Sequence, residues 1–158
     1  MNLPERLKIV PVMNNISLAT TVYTDSINMK NYHDATFLIQ LEMLGTASSV
    51  LTVQSGTADA TYSSALYFNY AFGTAATAAA TCDVLAATTN ANTLTLTYGT
   101  YSDFPLIVHV DSTDMDLANN EEWLALKFTD PGSATGTATV FAILTPRYKG
   151  NVSGTALA

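Results

Sequence analysis

The chain has 158 residues, and only 12% of them are charged, against about 25% in an ordinary soluble protein. Thirteen acidic and six basic side chains leave a formal net charge of −7. This balance excludes a basic nucleic-acid binder, a coiled coil and a charged disordered segment, and no apolar run approaches the ~20 residues of a membrane span. The length suits one domain with one core. The 24 Thr and 22 Ala make small and β-branched residues dominant.

The opening residues, Met1-Asn2-Leu3-Pro4-Glu5-Arg6-Leu7-Lys8, hold no apolar stretch of signal-peptide length, so synthesis in a cytoplasm is expected. Residues 7–12 and 16–22 read as short strands around an Asn14-Asn15 turn, and residues 27–30 as a third. In residues 34–44, Phe37, Ile39, Leu41 and Met43 fall on one face and Thr36, Gln40 and Glu42 on the other, which predicts a half-buried strand. Residues 50–54 resume extended character until Ser55-Gly56-Thr57. Residues 66–72 form an aromatic strand, and residues 74–87, rich in Ala and Thr, a loop with one helical turn. Residues 94–98 alternate Leu with Thr. Residues 106–110 are a branched apolar run opened by Pro105, where a missing N–H is tolerated. Residues 111–122 are irregular with a second helical turn. Residues 123–128 alternate again, and residues 140–144 are continuously apolar, as in a strand buried on both faces.

Short strands separated by Gly, Ser, Thr and Asn turns, with no long amphipathic helix for a crossover, predict an all-β fold. The expected form is an antiparallel β-sandwich or jelly-roll-like barrel with short irregular or helical turns. Residues 1–146 would make a single β domain. Residues 147–158 lose the strand pattern and read as a C-terminal tail or arm. Cys82 stands alone, so no intrachain disulfide is possible, and a small buried hydrophobe is its expected role.

The charges are unevenly placed. No basic residue lies between Asn31 and Leu126, a stretch holding ten acidic ones. Arg6, Lys8, Arg147 and Lys149 all lie near the chain ends. With Tyr148, which sits between the last two, they form the expected partner-binding set. Ends of this kind suit an acidic partner, since complementary fields guide docking and register.

Catalytic and metal signatures are sparse. His33 lies at the start of a strand and His109 within one, and no Gly-x-Ser-x-Gly elbow suggests a nucleophile for either, so both read as structural hydrogen-bonding residues. Asp111, Asp114, Asp116, Glu121 and Glu122 are the one carboxylate cluster. They read as a calcium loop without the expected Gly, as a solvated loop, or as acids at a helix start capped by Ser112, Thr113 or Asp114. The aromatic group Tyr62, Tyr67, Phe68, Tyr70, Phe72 and Tyr98 reads as core and edge packing, or as a stacking platform for a glycan. Trp123, which opens its strand, is expected to be a core or subunit-interface anchor. No catalytic residue, metal site or cofactor is assigned.

Three stretches carry a resemblance: Tyr32-His33-Asp34-Ala35-Thr36-Phe37, Trp123-Leu124-Ala125-Leu126-Lys127-Phe128, and Leu144-Thr145-Pro146-Arg147-Tyr148-Lys149-Gly150. They resemble the small capsid decoration, or cement, proteins of siphophages. The resemblance implies a β-sandwich or jelly-roll-like protein on the exterior of a phage head, often a trimer, that ties major capsid subunits together. It implies a virion location and no enzymatic activity, nucleic-acid partner or membrane partner. A tail-tube, neck or head-fibre subunit and a glycan- or receptor-binding module are the alternatives. High apolar content with sparse charge independently favours a symmetric homo-oligomer, since an interface absorbs surface that a monomer would expose.

Overall fold

Alternation with a period of two builds the longest strand. In β4 (Tyr32–Glu42), Phe37, Ile39 and Leu41 are fully buried, while Leu38 and Gln40 between them face outward. The computed structural model describes residues 6–42, 45–75, 80, 83–130, 132 and 136–157. The other strands of the first half are β1 (Lys8–Ser17), β2 (Val22–Tyr23), β3 (Ile27–Asn28), β5 (Ser49–Gly56) and β6 (Ser64–Leu66). The second half supplies β7 (Phe68–Phe72), β8 (Thr89–Ala91), β9 (Leu94–Leu96), β10 (Pro105–Asp111), β11 (Trp123–Thr129) and β12 (Thr137–Pro146).

All pairings are antiparallel, and they make two sheets. The larger has the order β1-β12-β4-β10-β7-β8. The second runs β2-β11-β5-β6, with β3 also paired to β11 and β9 to β5. The sheets pack as a sandwich and do not close into a barrel, so the barrel form of the expectation falls away. Strand β1, at one edge of the larger sheet, is irregular. Pro11 lacks an N–H, and register shifts at Pro11/Met13 and Met13/Ile16 interrupt the strand. Between the sheets there, the Asp25 N–H donates to the Val12 carbonyl at 3.0 Å.

The core lies between the sheets. Phe37, Ile39, Leu106, Val108, Val140 and Ala142 of the larger sheet meet Leu51, Val53, Leu124, Leu126 and Phe128 of the second, and all are fully buried. Between β2 and β3, buried Thr24 continues the ladder with β11. Its N–H donates to the Leu126 carbonyl, and its Oγ1 accepts from the Leu126 N–H, both at 3.0 Å.

Several sequence expectations are corrected. Asn14-Asn15 is not a hairpin turn. The chain runs through it as one strand with a bulge, and Asn15 takes the left-handed conformation at φ 49°. Residues 140–144 are not buried on both faces, since Phe141 remains 40% exposed. Residues 111–122 hold two 3-10 turns, Ser112–Asp114 and Leu117–Asn119, and their caps are Asp111 and Asp116 rather than residues 112–114. Trp123 is not in the core. Strand β11 turns Leu124, Leu126 and Phe128 inward and leaves Trp123 half-buried on the other face, an outward position that an interface role would need. Much of the helical turn expected in residues 74–87, along with Cys82, Met43 and Leu44, lies outside the described residues.

The stretch after Pro146 carries no strand, but it is not free. The Arg147 N–H donates to the Asn31 carbonyl at 2.8 Å, and a 3-10 turn follows at Lys149–Val152. The Asn28 N–H then donates to the Ala156 carbonyl at 2.9 Å, and Ala156 is buried. Extended β3 has one open edge beside this segment, and small Ala156 allows the close approach.

Candidate functional site

The first and last strands meet at one end of the sandwich. Strand β1 begins where β12 finishes, because Lys8 pairs with Leu144 in register. Val152 is the shared neighbour. One groove is lined by Arg6, Pro146, Lys149 and Val152, and another by Leu7, Lys8, Ile9 and Val152. Arg6, Lys8 and Lys149, far apart in sequence, are thus gathered into one basic cluster.

The expected partner-binding residues divide into four groups. Arg6 and Lys149 are exposed and present their charges to solvent. Lys8 is committed internally, since its ammonium donates to the carbonyls of Val152, at 3.3 Å, and Gly154, which pins the C-terminal segment. Arg147 turns to a different corner. Its Nε donates to the Tyr32 carbonyl and its Nη2 to Ser112 Oγ, both at 3.0 Å. It lines a cleft there with Met29, Lys30, Ser112, Met115, Leu117 and Glu122. Tyr148 is 72% exposed, the most open of the large hydrophobic side chains among the described residues.

The carboxylate cluster dissolves into separate local tasks. Asp111 Oδ1 accepts from both the Thr113 N–H at 2.8 Å and the Thr113 hydroxyl at 2.7 Å. These two bonds hold its carboxyl below the usual range. Burial opposes them, and the nearby His109 and His33 lower it further by smaller amounts. Asp116 accepts from the Asn119 backbone and amide. Glu121 is buried, and its two oxygens accept from the hydroxyls of Ser55 and, at 3.0 Å, Ser64. Among the described residues, no three His, Cys, Asp or Glu side chains are grouped to hold a metal ion. His109 Nδ1 lies 3.0 Å from Thr36 Oγ1 across the β4–β10 pair, a structural hydrogen bond on the outer face. His33 is exposed.

The aromatic group divides, and its members Tyr67 and Tyr98 are exposed. Phe68 and Phe72 belong to the core, and Tyr70 packs against it. Phe72 stacks on Tyr101 with centroids 3.9 Å apart. Tyr62 stacks on Tyr23 at 4.0 Å, and Lys127 Nζ lies 5.7 Å from the Tyr23 centroid, so that pair is capped by its own molecule.

Sequence reasoning missed the outer face of the larger sheet. The register sets Pro11, Phe141, Leu38 and Ile107 side by side across β1, β12, β4 and β10, with Ile9 beside Ile143 in the next row. Leu38 is 41%, Phe141 40% and Ile9 47% exposed. The signal was present in Leu38, which breaks the alternation of β4, and in the unbroken apolar run of β12. The outer face of the second sheet is mixed, with Thr52, Gln54 and Lys127 beside half-buried Trp123 and the Tyr23–Tyr62 stack. No protein-family model and no curated protein matches the chain.

Proposed function

We propose that the protein is a virion structural protein, a capsid decoration protein that binds the outside of a tailed-phage head and bridges major capsid subunits. Its work is mechanical. It stabilises the shell by burying surface across neighbouring subunits, acts as a homo-oligomer of three copies, and uses neither cofactor nor nucleic acid.

The observation that carries this reading is the gathering of Arg6, Lys8 and Lys149 from both chain ends around Val152. In a chain with six basic residues and thirteen acidic ones, exposed Arg6 and Lys149, with Lys8 holding the C-terminal segment beside them, make a directional docking site. Such a site selects an acidic partner and fixes its orientation. Two of the stretches that resemble decoration proteins, in β4 and at the end of β12, adjoin each other beside this cluster. Attachment through a free arm that adds a strand is not retained, because residues 147–157 are tied to β3 and to Lys8.

The test is binding to undecorated heads. Purified protein is expected to saturate them, and Arg6→Glu with Lys149→Glu to lower occupancy without altering the melting temperature. Equal occupancy for the folded double variant and the wild type would refute the role of the cluster. Failure of the wild type to bind at micromolar concentration would refute the decoration role.

A further inference from the structure

We propose that the outer face of the larger sheet is the self-association surface of this protein, and that its occupant is another copy of the same chain. Copies are related by a symmetry axis parallel to the strands, with these faces turned toward the axis. This deepens the proposed function, on which it rests only for the expected number of copies.

The apolar band comes first. Pro11, Phe141, Leu38 and Ile107 form one row across four strands, flanked by Ile9 and Ile143, and the exposed members keep about two fifths or more of their surface. Contiguous apolar surface of this kind marks a contact site. Four to five strands spaced ~4.8 Å apart, each about seven residues long, give a flat face of roughly 600 Å². Side-chain relief brings that near the ~800 Å² per partner of a standard interface.

The edges argue for the face as the route of association. Pro11 and two register shifts blunt β1, and β8, β2 and β6 are two or three residues long. Strand addition across copies is therefore disfavoured, which leaves the face.

The charges identify the occupant. By register the Phe141 row holds no titratable side chain, and the next row, Ile9-Ile143-Thr36-His109, holds only His109, which is hydrogen-bonded to Thr36. At one end of the face Asp34 and Asp111 lie opposite each other, and exposed Asp114 follows. At the same end, on the β1 side, stand Arg6 and Lys149. An axis parallel to the strands keeps ends level and sets the β1 side of one copy against the β10 side of the next. Bases then meet acids at the rim, around an apolar centre. One chain thus carries both halves of the charge pattern, as a symmetric interface requires.

Sedimentation equilibrium of the full chain tests this, with circular dichroism and melting to confirm folding. The wild type is expected to associate. Phe141→Asp should weaken association by about 30-fold or more, as for a central anchor. Ile9→Lys, at the strand edge, serves as a second disruption if Phe141→Asp fails to fold. Lys149→Glu and Asp114→Lys should each weaken it about threefold to tenfold, and the double variant should restore it. A monomeric wild type, folded disruption variants that associate like the wild type, or a charge swap without restoration would each overturn the proposal. Self-association without head binding would preserve this interface and remove the decoration role. Head binding by a monomer would do the reverse.

Discussion

Glu121 shows how one buried group holds a junction. It precedes β11 and accepts hydrogen bonds from Ser55 of β5 and Ser64 of β6. Glu121→Ala would leave Ser55, itself buried, without that acceptor, and a destabilisation of about 2–3 kcal/mol is expected in urea or thermal melts. A change below about 0.5 kcal/mol would show that the junction holds without it. Gly56 is similarly constrained, since an added Cβ would lie 1.6 Å from the Thr61 carbonyl oxygen. Gly56→Ala is expected to prevent folding or to displace residues 57–63, as a large loss of melting temperature would report. The third case concerns pH. Because the folded-state pKa of Asp111 is lowered, its contribution to stability is present above the ordinary carboxylate range and is lost as pH falls through the lowered value. Asp111→Asn should therefore reduce stability at neutral pH and flatten its decline on acidification. An unchanged acid limb would count against the Thr113 cap. Sequence reading saw Gly56 as a break and Glu121 as one acid of a cluster. The partners that define both, Thr61 for one and two serines from other strands for the other, come from tertiary packing.

At the scale of elements, strands with strict alternation were legible. Strands β4, β9 and β11 fall where the period of two places them, because each has one face on the core, and β10 falls on the branched apolar run after Pro105. Strand β1 was harder. Its polar Asn14-Asn15 pair has the composition of a turn, yet the Asn15 N–H finds Thr139 Oγ1 at 3.0 Å and the bulge keeps the chain extended. The C-terminal segment was the other difficulty. It has no periodicity because it makes isolated contacts, through Arg147, Lys8 and Ala156, rather than a ladder. A chain ending at Pro146 is thus expected to lose stability, about 2–4 kcal/mol, or roughly 4–16 °C in melting temperature. A truncated protein that melts like the wild type would show that the segment does not support the fold. The basic cluster was legible only as a tendency of the chain ends, since its convergence depends on β1 and β12 being neighbours.

At the scale of the whole molecule, the two outer faces divide the work. One sheet presents Leu38, Phe141 and Ile9, and the other Thr52, Gln54 and Lys127 together with Trp123 and the Tyr23–Tyr62 stack. In the proposed assembly the apolar face is turned toward other copies and the Val152 end toward the capsid, and Arg6 and Lys149 stand at the corner the two contacts share. Rim charges act chiefly through long-range fields, which salt screens over about 10 Å at 0.1 M. Head binding should therefore weaken as salt rises, while the apolar contact between copies should weaken much less. Equal salt sensitivity of the two would show that the contact between copies rests on its charged rim and not on its apolar centre. The most direct measurement is cryo-electron microscopy of the source particles. The expected result is this two-sheet sandwich on the exterior of the head, with the Val152 end against the major capsid protein. Density for the chain in the tail, or its absence from the particle, would contradict the account.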